Sequence, residues 1–179
     1  MDNIKYRRRG TAIVETKRGI LLVASNPKKG PFILPGGGAN KGESRFVAAL
    51  RELTEETGML PYAGEILFKH LGKPQPTMSG RGLYQDHHTV CLIKTTGVPT
   101  PNDDAKRMDF YYPGCHIWLS KTTQEILDRY FDWKNKKQKG ESERVTDEDT
   151  DSGEEVAQGD APNDNSYDAD EVLPNDAHT

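Results

Sequence analysis

Apolar and polar positions change their spacing several times along the chain, and each change predicts an element. Between Gly10 and Thr16 they alternate as in a half-buried strand, Lys17-Arg18-Gly19 reads as a turn, and Ile20 to Ser25 reads as the second strand of a hairpin. A loop at 26–30 leads to the short apolar run Phe32-Ile33-Leu34, which Pro35 and Gly36-Gly37-Gly38 end. From Glu43 to about Thr57 the spacing becomes helical, with Phe46, Ala49, Leu50 and Leu53 on one side and Gly58 as a C-terminal stop. Further strands are expected at 63–71, at 88–95 and around 116–119. Ser120 can cap a last helix from Lys121 to about Trp133, whose apolar stripe is Ile126, Leu127, Tyr130 and Phe131. Strands with hairpins among them and two helices predict a mixed α/β domain with a partly antiparallel sheet between helices, and no internal repeat is visible.

Charge divides the chain. The 179 residues carry a formal net charge of −4, yet 140–179 hold fourteen of the 28 acids and one of the 24 bases. The remainder is therefore basic, with fourteen acids against twenty-three bases. Few apolar residues and many like charges cannot offset the entropy of ordering, so disorder is expected from about residue 138. The expected division is a folded domain at 1–137 and an acidic tail at 138–179. That tail reads as a solubilising extension, or as an internal polyanion mimic over the basic body. No run of eighteen apolar residues exists, and no apolar segment follows the N-terminal charges, so neither a membrane span nor a secretory signal is expected. Cys91 and Cys115 stand far apart without metal-ligand spacing and read as free thiols of a reducing, cytoplasmic compartment.

The chemistry concentrates in the first helix. At about 100° per residue, Glu52, Glu55 and Glu56 share one face, displaced from the apolar arc by roughly 125°. Three close carboxylates repel one another, and Glu55 and Glu56 lie in the last turn, where the helix dipole disfavours anions. A hard divalent ion such as Mg²⁺ beside a phosphate-bearing substrate would compensate them. For three glutamates alone, a solvated acidic face is the alternative.

The spacing over residues 37–59, Gly-x5-Glu-x7-Arg-Glu-Leu-x-Glu-Glu-x-Gly-Met, resembles the Nudix box with every specified position filled. The hairpin before it, the Leu34-Pro-Gly-Gly lead-in and the later elements are also similar to that family's order. The resemblance implies an α/β/α sandwich with a mixed sheet, and Mg²⁺-dependent hydrolysis of a pyrophosphate bond in a nucleoside diphosphate linked to another group. Mn²⁺ is the alternative ion. It further implies divalent-metal ligands at Glu52, Glu55 and Glu56, a carbonyl ligand at Gly37 or Gly36, a supporting carboxylate at Glu43 and an orienting guanidinium at Arg51. Glu52 is the first candidate for general base, although some family members take the base from a downstream loop. Here the acids after the box and before Trp118 are Glu65, Asp86, Asp103, Asp104 and Asp109. Asp86 and the Asp103-Asp104 pair read mainly as solvated loop residues, and His87 and His88 as one exposed and one buried residue of a strand.

Substrate recognition is less legible. Phe110-Tyr111-Tyr112 and Trp118 offer stacking faces or core, and Arg7-Arg8-Arg9 with Lys28-Lys29 offer diffuse steering of phosphate. The partner expected is a small nucleotide, with RNA possible as substrate. The competing reading is a non-catalytic Nudix module that binds a nucleotide or an RNA 5′ end.

Overall fold

The computed structural model describes residues 4–77, 80 and 82–146, and the chain falls into two compact units, 1–139 and 140–179. In chain order the elements are β1 (Ile4–Ile13), β2 (Glu15–Thr16), β3 (Gly19–Ala24), β4 (Gly36–Gly38), α1 (Arg45–Thr57), β5 (Leu60–Leu71), β6 (Gln75–Pro76), β7 (Leu83–Thr96), β8 (Arg107–Tyr111) and α2 (Lys121–Thr146). A mixed sheet runs β4-β1-β7-β5, with β1 and β7 parallel, β4 and β5 antiparallel to their neighbours, and β6 also on β7. A second, antiparallel sheet runs β2-β3-β8.

The alternation of the strands builds two cores. In β1, Ile13 joins one core while Ala12, and Val14 just beyond the strand, join the other. In β3, Ile20 and Leu22 face the first core and Leu21 the second, and in β7 Val90 and Cys91 divide likewise. Ile126, Leu127 and Tyr130 of α2 close the first core, and Ala49 and Leu53 of α1 close the second. The period-2 pattern thus produces the α/β/α sandwich directly. Both cysteines are free, Cys91 being buried.

Several boundaries differ from expectation. The first expected strand starts six residues earlier, at Ile4, because its basic stretch pairs in parallel with Leu83 to His88 of β7; at its other end Val14 separates β1 from β2. The expected strand around 116–119 is only a bridge between Phe32 and Leu119, while β8, not anticipated, pairs with β3. The short apolar run makes isolated bridges, Ile33 to Val23 and Phe32 to Leu119. Residues 138–146, expected to be disordered, lie in α2, which passes Trp133 to reach Thr146. Lys134-Asn-Lys-Lys-Gln-Lys139 contains no proline and mostly good helix formers, so nothing local stops the helix there. The rest of the acidic tail, from 147 on, lies outside the described residues. Among the described residues no helix is long and apolar enough to cross a membrane.

Candidate active site

Ser44 caps α1, its hydroxyl accepting from the Val47 N–H at 3.1 Å, and Gly58 ends the helix in the left-handed conformation with φ of 67°. The helix rests on Gly10 of β1 and presents its acidic side to the Gly36–Gly38 strand. The Glu52 carboxylate lies directly over Gly37, where a Cβ would come within 2.1 Å of its carboxyl carbon and displace it. The Gly36 N–H donates to Glu56 Oε2 at 3.0 Å. Glu52 and Glu56, one helical turn apart, are therefore both held against the glycine backbone.

Arg51 organises the remaining carboxylates. Its Nε donates to Glu43 Oε1 at 2.9 Å and its Nη2 to Glu43 Oε2 at 3.1 Å. Its Nη1 donates to Glu52 Oε1 and Glu55 Oε2, both at 2.9 Å, and its Nη2 also reaches the Gly38 carbonyl at 3.0 Å. Glu43, foremost among these partners, raises the Arg51 pKa, while the same fork and the Asn40 N–H hold the Glu43 carboxyl below its ordinary value. Glu55, more exposed, is turned toward Arg51 rather than the glycines.

Glu56 differs from its neighbours. It is 8% exposed, and among the described residues it has no ion-pair partner. Burial pushes its carboxyl up to about 7, helped by the charges of Glu52 and Asp104 and opposed by the Gly36 N–H and the charge of Arg9. Among the described residues no three Asp, Glu, His or Cys side chains converge as a ready metal cluster, because Arg51 engages Glu43, Glu52 and Glu55. The donor set nevertheless suits a hard cation: two carboxylates packed against glycine backbone, one of them buried and in no salt bridge.

A cavity of about 540 Å³ opens beside this glycine strand, lined by Gly36 and by Arg7, Arg9, Tyr84, Asp86 and Trp118 among others. Arg7 donates to both Asp86 oxygens, at 2.6 and 2.8 Å, and its guanidinium lies 3.7 Å from the Tyr84 ring centroid. Arg9 donates to the Gly36 carbonyl at 3.1 Å and stands 3.9 Å from Asp86. Asp86, read from sequence mainly as a solvated loop residue, is instead a strand residue facing this cavity. The stretch Arg7-Arg8-Arg9 divides by strand alternation: Arg7 and Arg9 line the cavity, while Arg8 donates to the Glu43 carbonyl at 3.2 Å. Period-2 reading of those three arginines was the missed signal. Trp118 is 66% exposed on the cavity lining, whereas Phe110 is core. Of the other downstream acids, Glu65 is exposed on β5, Asp109 accepts from the Phe110 N–H, and exposed Asp104 is near enough to act on Glu56. A larger groove of about 1000 Å³, lined by Met59, Val98 and Phe110 among others, touches none of the box glutamates.

His88, buried as one of the pair was expected to be, lies within hydrogen-bond distance of the Thr11 hydroxyl through Nδ1, at 2.8 Å. Burial first, then the charge of Arg9, lowers its pKa to about 4, with His70 and Arg7 acting the same way and Asp86 opposing. Between an unfolded value near 6.5 and that folded value, the unfolded chain binds the extra proton, so this contribution to stability is complete above pH 6.5 and is lost as pH falls toward 4. The loss is about 3 kcal/mol. Glu56 acts oppositely, its contribution being lost as pH rises from 4.5 to about 7, so comparison with His88→Gln isolates the histidine. In urea unfolding, the stability difference between wild type and variant should shift against wild type as pH falls from 7 to 4. A difference that does not change with pH would contradict the buried neutral ring.

Comparison with known proteins agrees with this geometry. The NUDIX domain model matches residues 5–133. The ADP-ribose pyrophosphatase of Methanocaldococcus jannaschii is 32% identical over 129 residues, covering 69% of this chain and 72% of that protein. An RNA pyrophosphohydrolase of Stenotrophomonas maltophilia is 28% identical over 139 residues, covering 68% of each. A crystal structure from Chromobacterium violaceum, described as a nudix hydrolase family member, superposes with a TM-score of 0.62 at 33% identity, covering 79% of this chain and 88% of that one. With the complete glutamate helix seated against its glycine strand, the chain belongs to the Nudix family and is a Nudix hydrolase.

Proposed function

We propose that this chain hydrolyses a pyrophosphate bond in a nucleoside diphosphate derivative, with Mg²⁺ as its working ion. The observation that carries the reading is the placement of Glu52 and Glu56 against the Gly36-Gly37 backbone, Gly36 also lining a cavity with Arg7 and Arg9. Glu52, Glu56 and a carbonyl of Gly36 or Gly37 would hold the cation, with Glu55 as a further ligand. When bound, it neutralises phosphate charge, polarises the attacked phosphorus and lowers the pKa of water.

The chain's own residues supply position and proton transfer. Arg51, fixed by Glu43, orients Glu52 through the bond from its Nη1. Glu52 is the first candidate to take a proton from the attacking water. The water oxygen then bonds to phosphorus, the bridging P–O bond breaks, and the leaving phosphate keeps the bonding pair and later gains a proton. Arg9, beside Gly36 and inside the cavity, can pair with a phosphate oxygen as the substrate enters.

A substrate panel tests this reading: a nucleoside triphosphate, a nucleotide sugar, ADP-ribose, and RNA with a 5′-triphosphate or a cap. At least one should be cleaved at a phosphoanhydride with Mg²⁺ and spared in EDTA. Mg²⁺-independent cleavage, or tight binding of a nucleotide with no turnover across the panel, would contradict it.

A further inference from the structure

The groove of about 1000 Å³ plays no part in the hydrolase reading, since none of its lining residues lines the cavity beside Gly36. Met59, Met108 and Phe110 give it an apolar lining, and Met59 and Phe110 are anchored in the second core. The segment after β7 adds Val98, Pro99 and Pro101. Val98 is 83% exposed, just beyond Gly97, whose φ of 95° turns the chain there. This segment is fixed from behind. The Thr100 N–H donates to the Thr57 carbonyl and the Asn102 N–H to the Glu56 carbonyl, both at 2.9 Å, so the residues alternating with the lining prolines are tied to the last turn of α1. The groove is therefore formed before anything enters it, and an apolar body that covers it gains from the water released.

The β2–β3 turn brings positive charge to the same groove through Lys17 and Arg18. Thr16 holds that turn, its hydroxyl accepting from the Arg18 N–H at 3.1 Å and donating to the Gly19 carbonyl at 2.8 Å. Among the described residues Glu15 is the only acid of the lining, and Lys134 engages it. Neither Lys17 nor Arg18 forms a salt bridge among the described residues. The Arg18 guanidinium lies 4.0 Å from the centroid of the Phe110 ring, so its charge is held at the edge of the apolar surface with its N–H donors left for an oxygen anion. A neutral ligand would leave both cations unpaired. A polyanion would set surplus charge against methionine, valine and proline, at a desolvation cost nothing there offsets.

We propose that this groove is a second binding site, for a small amphipathic carboxylate whose apolar body lies on Met59, Met108 and Phe110 and whose carboxylate pairs with Arg18 and Lys17. The site is separate from the glutamate face and does not depend on the hydrolase reading. An alkyl acid and an aryl acid share that chemistry.

The test uses the full chain without divalent metal, with decanoate and 2-naphthoate as probes and decanol and 2-naphthamide as their neutral counterparts. Binding is followed by calorimetry and by the methyl resonances of Met59 and Met108. At least one acid should bind saturably at one site, at least about fivefold more tightly than its neutral counterpart, and should move both methionine signals. The tighter of the two acids identifies the body the groove prefers. In Lys17→Gln/Arg18→Gln the acid should fall to within about twofold of the neutral compound. Val98→Asp, at an exposed position, should weaken acid and neutral compound alike by about fivefold, and Lys28→Gln, outside the groove, should change neither. Absence of saturable binding, an acid advantage retained in the double variant, or binding that leaves both methionine signals in place would overturn the proposal. Displacement of the probe by ADP-ribose would overturn it too, by giving the groove to a nucleotide. The same holds for methionine signals that move with protein concentration alone, which would make the groove an interface between copies of this chain. Melting curves confirm that each variant is folded.

Discussion

Glu56→Gln is expected to cut metal-dependent hydrolysis by about 10²-fold or more while leaving the chain folded. Glu56 is buried, accepts the Gly36 N–H, and forms no salt bridge among the described residues, with Arg9 acting on it only through space. The amide oxygen of glutamine can accept the same N–H, so the local hydrogen bond survives. What disappears is a negative charge that costs stability without a cation and attracts one when available. The melting temperature without metal should therefore be unchanged or higher, and the rise in melting temperature on adding Mg²⁺ should shrink. Full activity in this variant would remove Glu56 from the site.

Gly10→Ala is expected to destabilise the body by about 3 kcal/mol or more and to lower its melting temperature by about 10 °C. A Cβ at Gly10 would lie 2.1 Å from the Arg45 carbonyl oxygen and 2.4 Å from the Ala49 nitrogen. Both are backbone atoms of α1, so no side chain can rotate away, and the helix itself must retreat. Because α1 carries Arg51, Glu52 and Glu56, hydrolysis should fall even at temperatures where the variant stays folded. A variant within about 1 kcal/mol of wild type and fully active would show that the helix does not depend on this close approach.

The carboxylate helix was legible because its spacing encodes a face, a start and a stop within one local segment. Glu43, Arg51 and Glu52 meet through contacts only one to eight residues apart in sequence. The cavity was not legible, since Arg7 meets Asp86 across 79 residues and depends on the parallel register of β1 with β7. Local periodicity gives the face of each strand but not which strands become neighbours. The same limit explains β8, whose short Arg-Met-Asp-Phe-Tyr sequence becomes a strand through pairing with β3. Conversely, the apolar run near Trp118 suggested a strand, yet only Leu119 bridges, to Phe32.

The account depends most directly on the carboxylates and glycine backbone at the helix face holding a divalent cation. Mn²⁺ titration followed by electron paramagnetic resonance measures this on the full chain without any choice of substrate. The wild type should bind Mn²⁺ in competition with Mg²⁺, and Glu56→Gln should weaken that binding by about tenfold or more. Identical Mn²⁺ binding by the two proteins would contradict it.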